Sequence, residues 1–424
     1  MKGSIVSKHS SFDRNVPRYY LFSGLTSSMF WLPIWIIFLQ DRGLSLGQIG
    51  MLEVVALIVG AVMEVPTGVV ADTYGRKVSL TIGAFLNGLA LLALLTGVLS
   101  PVFLIGYILW NVSYTFFSGA GEALLYDSLK LAGRDADYTA ITGRNMVIVQ
   151  AAGGIAGLLG GLIAAWDMRA CFVITAVLTF AAAAVALSMK EPPHADDGGN
   201  RLGYRENLRV GMRIAVSLPR VRYIILFGAT ISLFSILLVG FLLQPYAEEV
   251  GLPIWSMGAI LLLANGGAMV GAWLAGRAER RLGRTRLLVI VPAAVVGLQL
   301  LLWVAAAPPA VMLFAAISLA IALAQPILSA MLNEAIPSAQ RATVISLQSL
   351  LFSLVASPLQ IALLTIAART SAAFAIGVAA VLLACLVVPV FLLLQRASSE
   401  REPDADSLNP VVPVVAVARA LAAD

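Results

Sequence analysis

Charge is scarce in this sequence. Only 12% of its 424 residues are Asp, Glu, Lys or Arg, while 60% are hydrophobic, and a soluble globule cannot hide that much apolar surface from water. Cysteine is almost absent. Cys171 and Cys385 both fall within apolar runs, which leaves no disulfide framework and no metal-ligand spacing. His9 and His194 both sit in polar segments, so no reactive cluster supports a membrane enzyme, and nothing calls for a cofactor or a metal. No cleavable leader is expected either. The first eighteen residues are polar and carry Lys2, Lys8, Arg14 and Arg18, and the apolar run after them exceeds the short core of a signal peptide. That run is expected to stay as a helix.

What is present is a series of long apolar runs. A membrane span needs about 20 apolar residues, and twelve segments qualify: 19–40, 47–70, 78–98, 101–125, 144–165, 168–189, 221–243, 253–276, 287–306, 309–332, 343–367 and 371–394. The fold class that follows is an all-α integral membrane protein in the lipid bilayer. Its expected parts are an N-terminal segment 1–18, a six-helix bundle 19–190, a linker 191–220, a second six-helix bundle 221–395 and a tail 396–424 without fixed structure. Within the linker, 207–218 fits a short amphipathic surface helix, with Arg205, Arg209 and Arg213 at fourfold spacing, as well as it fits a solvated connector.

A net charge of +5 can signal a nucleic-acid partner, but here the basic residues follow the membrane. With the twelve spans above, 25 of 28 Lys and Arg fall on one side, leaving Arg42, Arg169 and Arg369. Basic loops stay in the cytoplasm, so both termini are expected there, with the chain in the cell (inner) membrane and no nucleic acid bound.

The two halves are related. At a constant offset of 208, Gly43, Leu44, Gly50, Ala56, Val62, Gly68, Gly75, Arg76 and Leu80 fall on Gly251, Leu252, Gly258, Ala264, Val270, Gly276, Gly283, Arg284 and Leu288. Asp127 and Glu334 correspond at offset 207. A parallel six-plus-six repeat explains this, and such repeats place a substrate site near the membrane midplane.

Gly68, Asp72, Gly75, Arg76 and Lys77 form a turn between the second and third spans. Together with the twelve spans and the repeat, this turn resembles the signature loop of the major facilitator superfamily, over residues 15–395. The resemblance implies a transporter that works as a monomer by alternating access, most like the drug and metabolite efflux branches. It also implies a latch in which Asp72 caps a helix of the other half and Arg76 pairs with an acid at the end of the fourth span, where Asp127 lies. The second copy departs from the pattern, with Arg280 opposite Asp72 and Glu279 one residue earlier. The fourth span departs as well, since the buried arginine of many proton-coupled members is missing from 114–119.

Three acids lie within spans: Glu53, Glu64 and Glu122. Each costs several kcal/mol in hydrocarbon (about 2.5–3.5 on insertion scales) unless paired, wetted or protonated, and hydrocarbon favours the neutral form that a proton carrier needs. Glu122 and then Glu64 are the leading candidates for proton coupling or for binding a substrate cation. The alternative for each is a buried acid hydrogen-bonded to backbone, or an ion pair with Arg144. Trp31, Trp35, Asn111, Tyr114, Gln150 and Gln325 are candidates for a substrate cavity, with helix packing or a lipid-facing position as the competing reading. No Lys or Arg lies deep in any span, so small apolar or cationic compounds fit better than strong anions. The function expected is proton-coupled efflux of such compounds. The alternatives are a proton-linked symporter for a small nutrient and, remotely, a polytopic membrane enzyme or sensor.

Overall fold

The computed structural model describes residues 12–117, 119–193, 218–336 and 358–399. Most of the expected N-terminal segment, linker and tail, the 207–218 helix and the first part of the eleventh span lie outside those residues.

The described residues are helical throughout their ordered elements, with no strand among them. Among the described residues, ten helical stretches are long and apolar enough to cross a membrane, two of them, Pro101–Leu131 and Pro219–Glu249, running over more than one of the elements below. In chain order the elements are α1 (Asn15–Ser27), α2 (Trp35–Asp41), α3 (Leu46–Tyr74), α4 (Arg76–Ala93), α5 (Pro101–Thr115), α6 (Ala120–Leu131), α7 (Tyr138–Ala164) and α8 (Met168–Ser188). They continue as α9 (Pro219–Ser235), α10 (Leu243–Glu249), α11 (Met257–Leu282), α12 (Arg284–Ala305), α13 (Leu313–Ala335), α14 (Pro358–Arg369) and α15 (Ala372–Ser399).

Two expected spans are broken. The first is split into α1 and α2, with a 3-10 turn at Leu32–Ile34 between them. Pro33 cannot donate a helical hydrogen bond and disfavours the α region for the residue before it. Ser28 meanwhile turns its hydroxyl back on the Gly24 carbonyl at 2.8 Å, which competes with helix propagation. The fourth is split into α5 and α6 at Gly119, whose φ of +69° suits glycine. The seventh runs from α9 through a π-helical stretch, Ile236–Leu242, into α10.

The chain divides into two compact units, one of Met1–Asp196 with Gly251–Leu262, the other of Asp197–Val250 with Leu263–Asp424. In the first, Tyr19 and Phe22 of α1, Leu80 and Ala84 of α4, Leu124 and Leu125 of α6 and Ala182, Ala183 and Ala186 of α8 share one core. Small residues let these backbones approach without a hydrophobic driving force. At Gly88 a Cβ would lie 2.6 Å from the Phe180 ring. Polar side chains tie the helices further, as Asn87 donates to Ser113 at 2.8 Å. Arg42 donates to the carbonyls of Leu94, Leu95 and Thr96 just past α4, a cation at the negative end of a helix dipole.

The second unit closes its core with Phe227 and Phe234 of α9, Val291 of α12, Phe314 of α13 and Ile376 and Leu383 of α15, all buried. Glu249 accepts from the Ala372 amide at 2.5 Å, so a carboxylate caps the positive end of α15.

Candidate functional site

The turn between α3 and α4 is a single residue, Gly75, with φ +103°. α4 starts immediately after it, so the first amides of the helix have no intrahelical acceptor. Glu191, just past the end of α8, supplies one. Its Oε1 accepts from the Arg76 amide at 2.8 Å and its Oε2 from the Lys77 amide at 2.7 Å. The Arg76 guanidinium reaches α6, where it donates to the Ala123 carbonyl at 2.7 Å and pairs with the Asp127 carboxylate. Asp72 stands exposed one turn before Gly75, and Gly68 has open space around it.

Gly75 is constrained twice. A Cβ there would sit 2.8 Å from the Glu191 carboxyl carbon, and left-handed backbone costs an L-residue roughly 1–2 kcal/mol. Gly75→Ala should therefore lower the melting temperature in detergent by several degrees. Gly97→Ala, at a position with nothing within 4 Å, should leave it unchanged. Equal melting of the two variants would contradict this reading of the turn.

The second unit repeats the arrangement. Gly283 has φ +78° and precedes α12, and Arg284 grips Glu334 at the end of α13 with two hydrogen bonds, 2.7 and 2.9 Å. Arg284 Nε also donates to Glu279 at 2.6 Å. These hydrogen bonds hold the Glu334 carboxyl below its ordinary range. The pair matches Arg76 and Asp127 by position, and Glu279 is a partner that the first copy lacks.

The span acids lie in three different settings. Glu53, half-buried on α3, accepts from the hydroxyl of buried Tyr107. Glu64 is exposed on the same helix. Glu122 falls in the first turn of α6, where the chain restarts after Gly119 and unpaired amides favour a carboxylate. Glu122 lines a cavity of about 410 Å³ with Tyr19, Phe22, Tyr114, Phe117 and Asn145. No other charged residue lines it among the described residues, and Glu53 and Glu64 lie elsewhere.

Of the candidate cavity residues, only Tyr114 lines this space. Trp31 and Trp35 lie elsewhere, both buried in an aromatic wall. Trp31 meets Trp110 edge-on at 4.9 Å and stacks near Phe172 at 6.3 Å, and Trp35 lies 6.2 Å from Trp110. The void left among them is about 10 Å³, room for one water. Asn111 is half-buried and Gln150 exposed, both away from the cavity. Gln325 belongs to the second unit and donates to Ser232 at 2.9 Å. Sequence reasoning missed Ser23, Thr26 and Ser27 of α1, which also line the cavity. Their spacing of three and four puts them on one helix face, a signal that was readable. It also missed Glu191, for which the sequence carries no local signal.

Among the described residues no group of three His, Cys, Asp or Glu side chains is placed to hold a metal. The sequence pattern of the Major Facilitator Superfamily matches residues 19–359. An MFS-type transporter of Bacillus subtilis (strain 168), YxaM, is 25% identical over 355 residues, 78% of this chain and 84% of that protein. Among solved structures, the nucleoside transporter NupG superposes with a TM-score of 0.70 at 14% identity, covering 90% of this chain and 99% of its own. A bacterial homologue of the human lysosomal transporter Spinster gives 0.67 at 15% identity, over 95% and 100%. A D-xylose-proton symporter gives 0.64 at 16%, over 91% and 97%. At these identities the structures are alike in fold.

Proposed function

The chain belongs to the Major Facilitator Superfamily, and on that premise we propose that it is a secondary transporter exporting small apolar or cationic compounds in exchange for protons. The family is one of transporters and not of enzymes. The observation that carries the reading is the 410 Å³ cavity whose one charged lining residue, among the described residues, is Glu122. A lone carboxylate among aromatic rings suits an organic cation and, when the cation leaves, a proton. Glu122 is the first candidate for coupling, ahead of Glu64 and Glu53. Asp72, Arg76 and Asp127 form the gate in this reading. Residues 19–190 and 221–395 are its two bundles, joined through 191–220, with both termini in the cytoplasm of the cell in which the chain spans the inner membrane. The placement of 25 of 28 basic residues supports that orientation.

The test is uptake of a lipophilic cation such as tetraphenylphosphonium into proteoliposomes bearing an imposed proton gradient. Cation movement opposite to the proton gradient is the expected result. Movement along it would assign symport instead. Transport of neutral sugars or nucleosides without any cation movement would remove the efflux reading altogether.

A further inference from the structure

The two sides of Gly75 are held very differently. After it, everything is fastened. The Arg76 and Lys77 amides end on the two oxygens of Glu191, at 2.8 and 2.7 Å, and the Arg76 side chain ends on α6. The residue before Glu191 is fastened in turn, because Lys190 donates its amide to Asn15 Oδ1 at 2.9 Å and accepts at its carbonyl from Asn15 Nδ2 at 2.8 Å. Asn15 is fully buried and also donates to Ser128 of α6 at 2.8 Å. Thus α1, α6, α8 and the first turn of α4 are stitched together through the Lys190–Glu191 dipeptide.

Before Gly75, little is held. Of residues 68–74 only Ala71 packs against the core cluster. Val69 and Tyr74 are exposed, Tyr74 by 70%, and Asp72 is exposed as well. The joint between the two regimes is one residue with a backbone angle that leaves α3 and α4 as separate rods.

We propose that Glu191 is a positioning residue for the gate: it clamps Arg76 and Lys77 to the end of α8 and leaves Gly75 as the pivot on which the adjoining part of α3, with Asp72, moves. The clamp keeps the Arg76 guanidinium aimed at Asp127 while Asp72 changes surroundings, so the two charged ends of one loop act as a fixed half and a moving half. The inference rests on the reading of Asp72 and Arg76 as a gate.

The experiment uses the full chain in lipid nanodiscs with one added reporter cysteine, Ser27→Cys, at a half-buried position lining the cavity, in a Cys385→Ala background, since Cys171 is buried. Hydrogen exchange is followed at residues 76 and 77, and alkylation of the reporter by a water-soluble maleimide is timed. Glu191→Ala should speed exchange at those amides by about tenfold or more, since an amide that loses its acceptor opens more readily. It should also change the alkylation rate in the same direction as Asp72→Asn. Glu191→Gln, which keeps one acceptor oxygen, should fall between native and Ala, and it carries the same criteria if the Ala variant does not fold. Unchanged exchange in Glu191→Ala overturns the clamp. Faster exchange with unchanged alkylation, while Asp72→Asn alters it, reduces Glu191 to a helix cap with no part in gating. If Asp72→Asn also leaves alkylation unchanged, the gate reading itself fails and takes the inference with it.

Discussion

Glu122→Gln is expected to abolish the pH dependence of transport in proteoliposomes and to lower proton-driven flux by about tenfold or more, equivalent to at least ~1.4 kcal/mol. The variant separates chemistry from folding. Glu122 occupies the first turn of α6, a position where glutamine is tolerated nearly as well as glutamate, so the helix restart at Gly119 should survive. What the variant removes is the one carboxylate lining the cavity among the described residues. If the carboxylate binds a substrate cation, affinity for that cation falls while a neutral ligand is unaffected. If it carries the proton, the imposed gradient no longer drives movement. Either loss supports the assignment. Glu122→Gln with native flux and native pH dependence would transfer the role to Glu64 or Glu53, and Glu53→Gln is then the next variant, because its tyrosine partner Tyr107 already supplies a donor to a neutral acceptor.

Local signals in the sequence account for the fold and for part of the site. Long apolar runs report membrane helices because the backbone must satisfy itself in lipid, and the offsets of 208 and 207 residues report the second Gly-Arg turn and its acid, seen in the structure as Gly283, Arg284 and Glu334. Hydropathy does not report breaks, since Pro33 and Gly119 sit inside runs that remain apolar across the interruption. Composition does not report how Trp31 and Trp35 pack either. An indole in a wall and an indole in an open cavity read alike in sequence, and the 4.9 Å contact of Trp31 with Trp110 is visible only in the fold. Glu191 is the clearest miss. It lies 115 residues from Arg76, directly before a proline-rich stretch that reads as linker, and its role depends on where α8 ends relative to α4.

Breaking the Arg76–Asp127 pair is expected to do more damage than breaking its counterpart in the second unit. The first pair is 28% and 29% exposed, the second 38% and 51%, so solvent screens the second more strongly. A charge-assisted hydrogen bond in a partly dry setting is worth roughly 1.5–3 kcal/mol, and the Ala123 carbonyl gives the Arg76 guanidinium a second fixed acceptor. A thermal-unfolding double-mutant cycle of Arg76→Ala and Asp127→Asn should show coupling of that order, persisting at high salt. The same cycle on Arg284 and Glu334 should show weaker coupling that salt removes, because Arg284 keeps Glu279 as an alternative partner. Transport should follow the same ranking, with Arg76→Ala lowering flux by about tenfold or more, the same ~1.4 kcal/mol, and Arg284→Ala by far less. Equal coupling in the two units would mean that both turns serve only as scaffold. The specialised gate would then have to lie in residues the two copies do not share, of which Asp72, matched by Arg280, is the one in this turn.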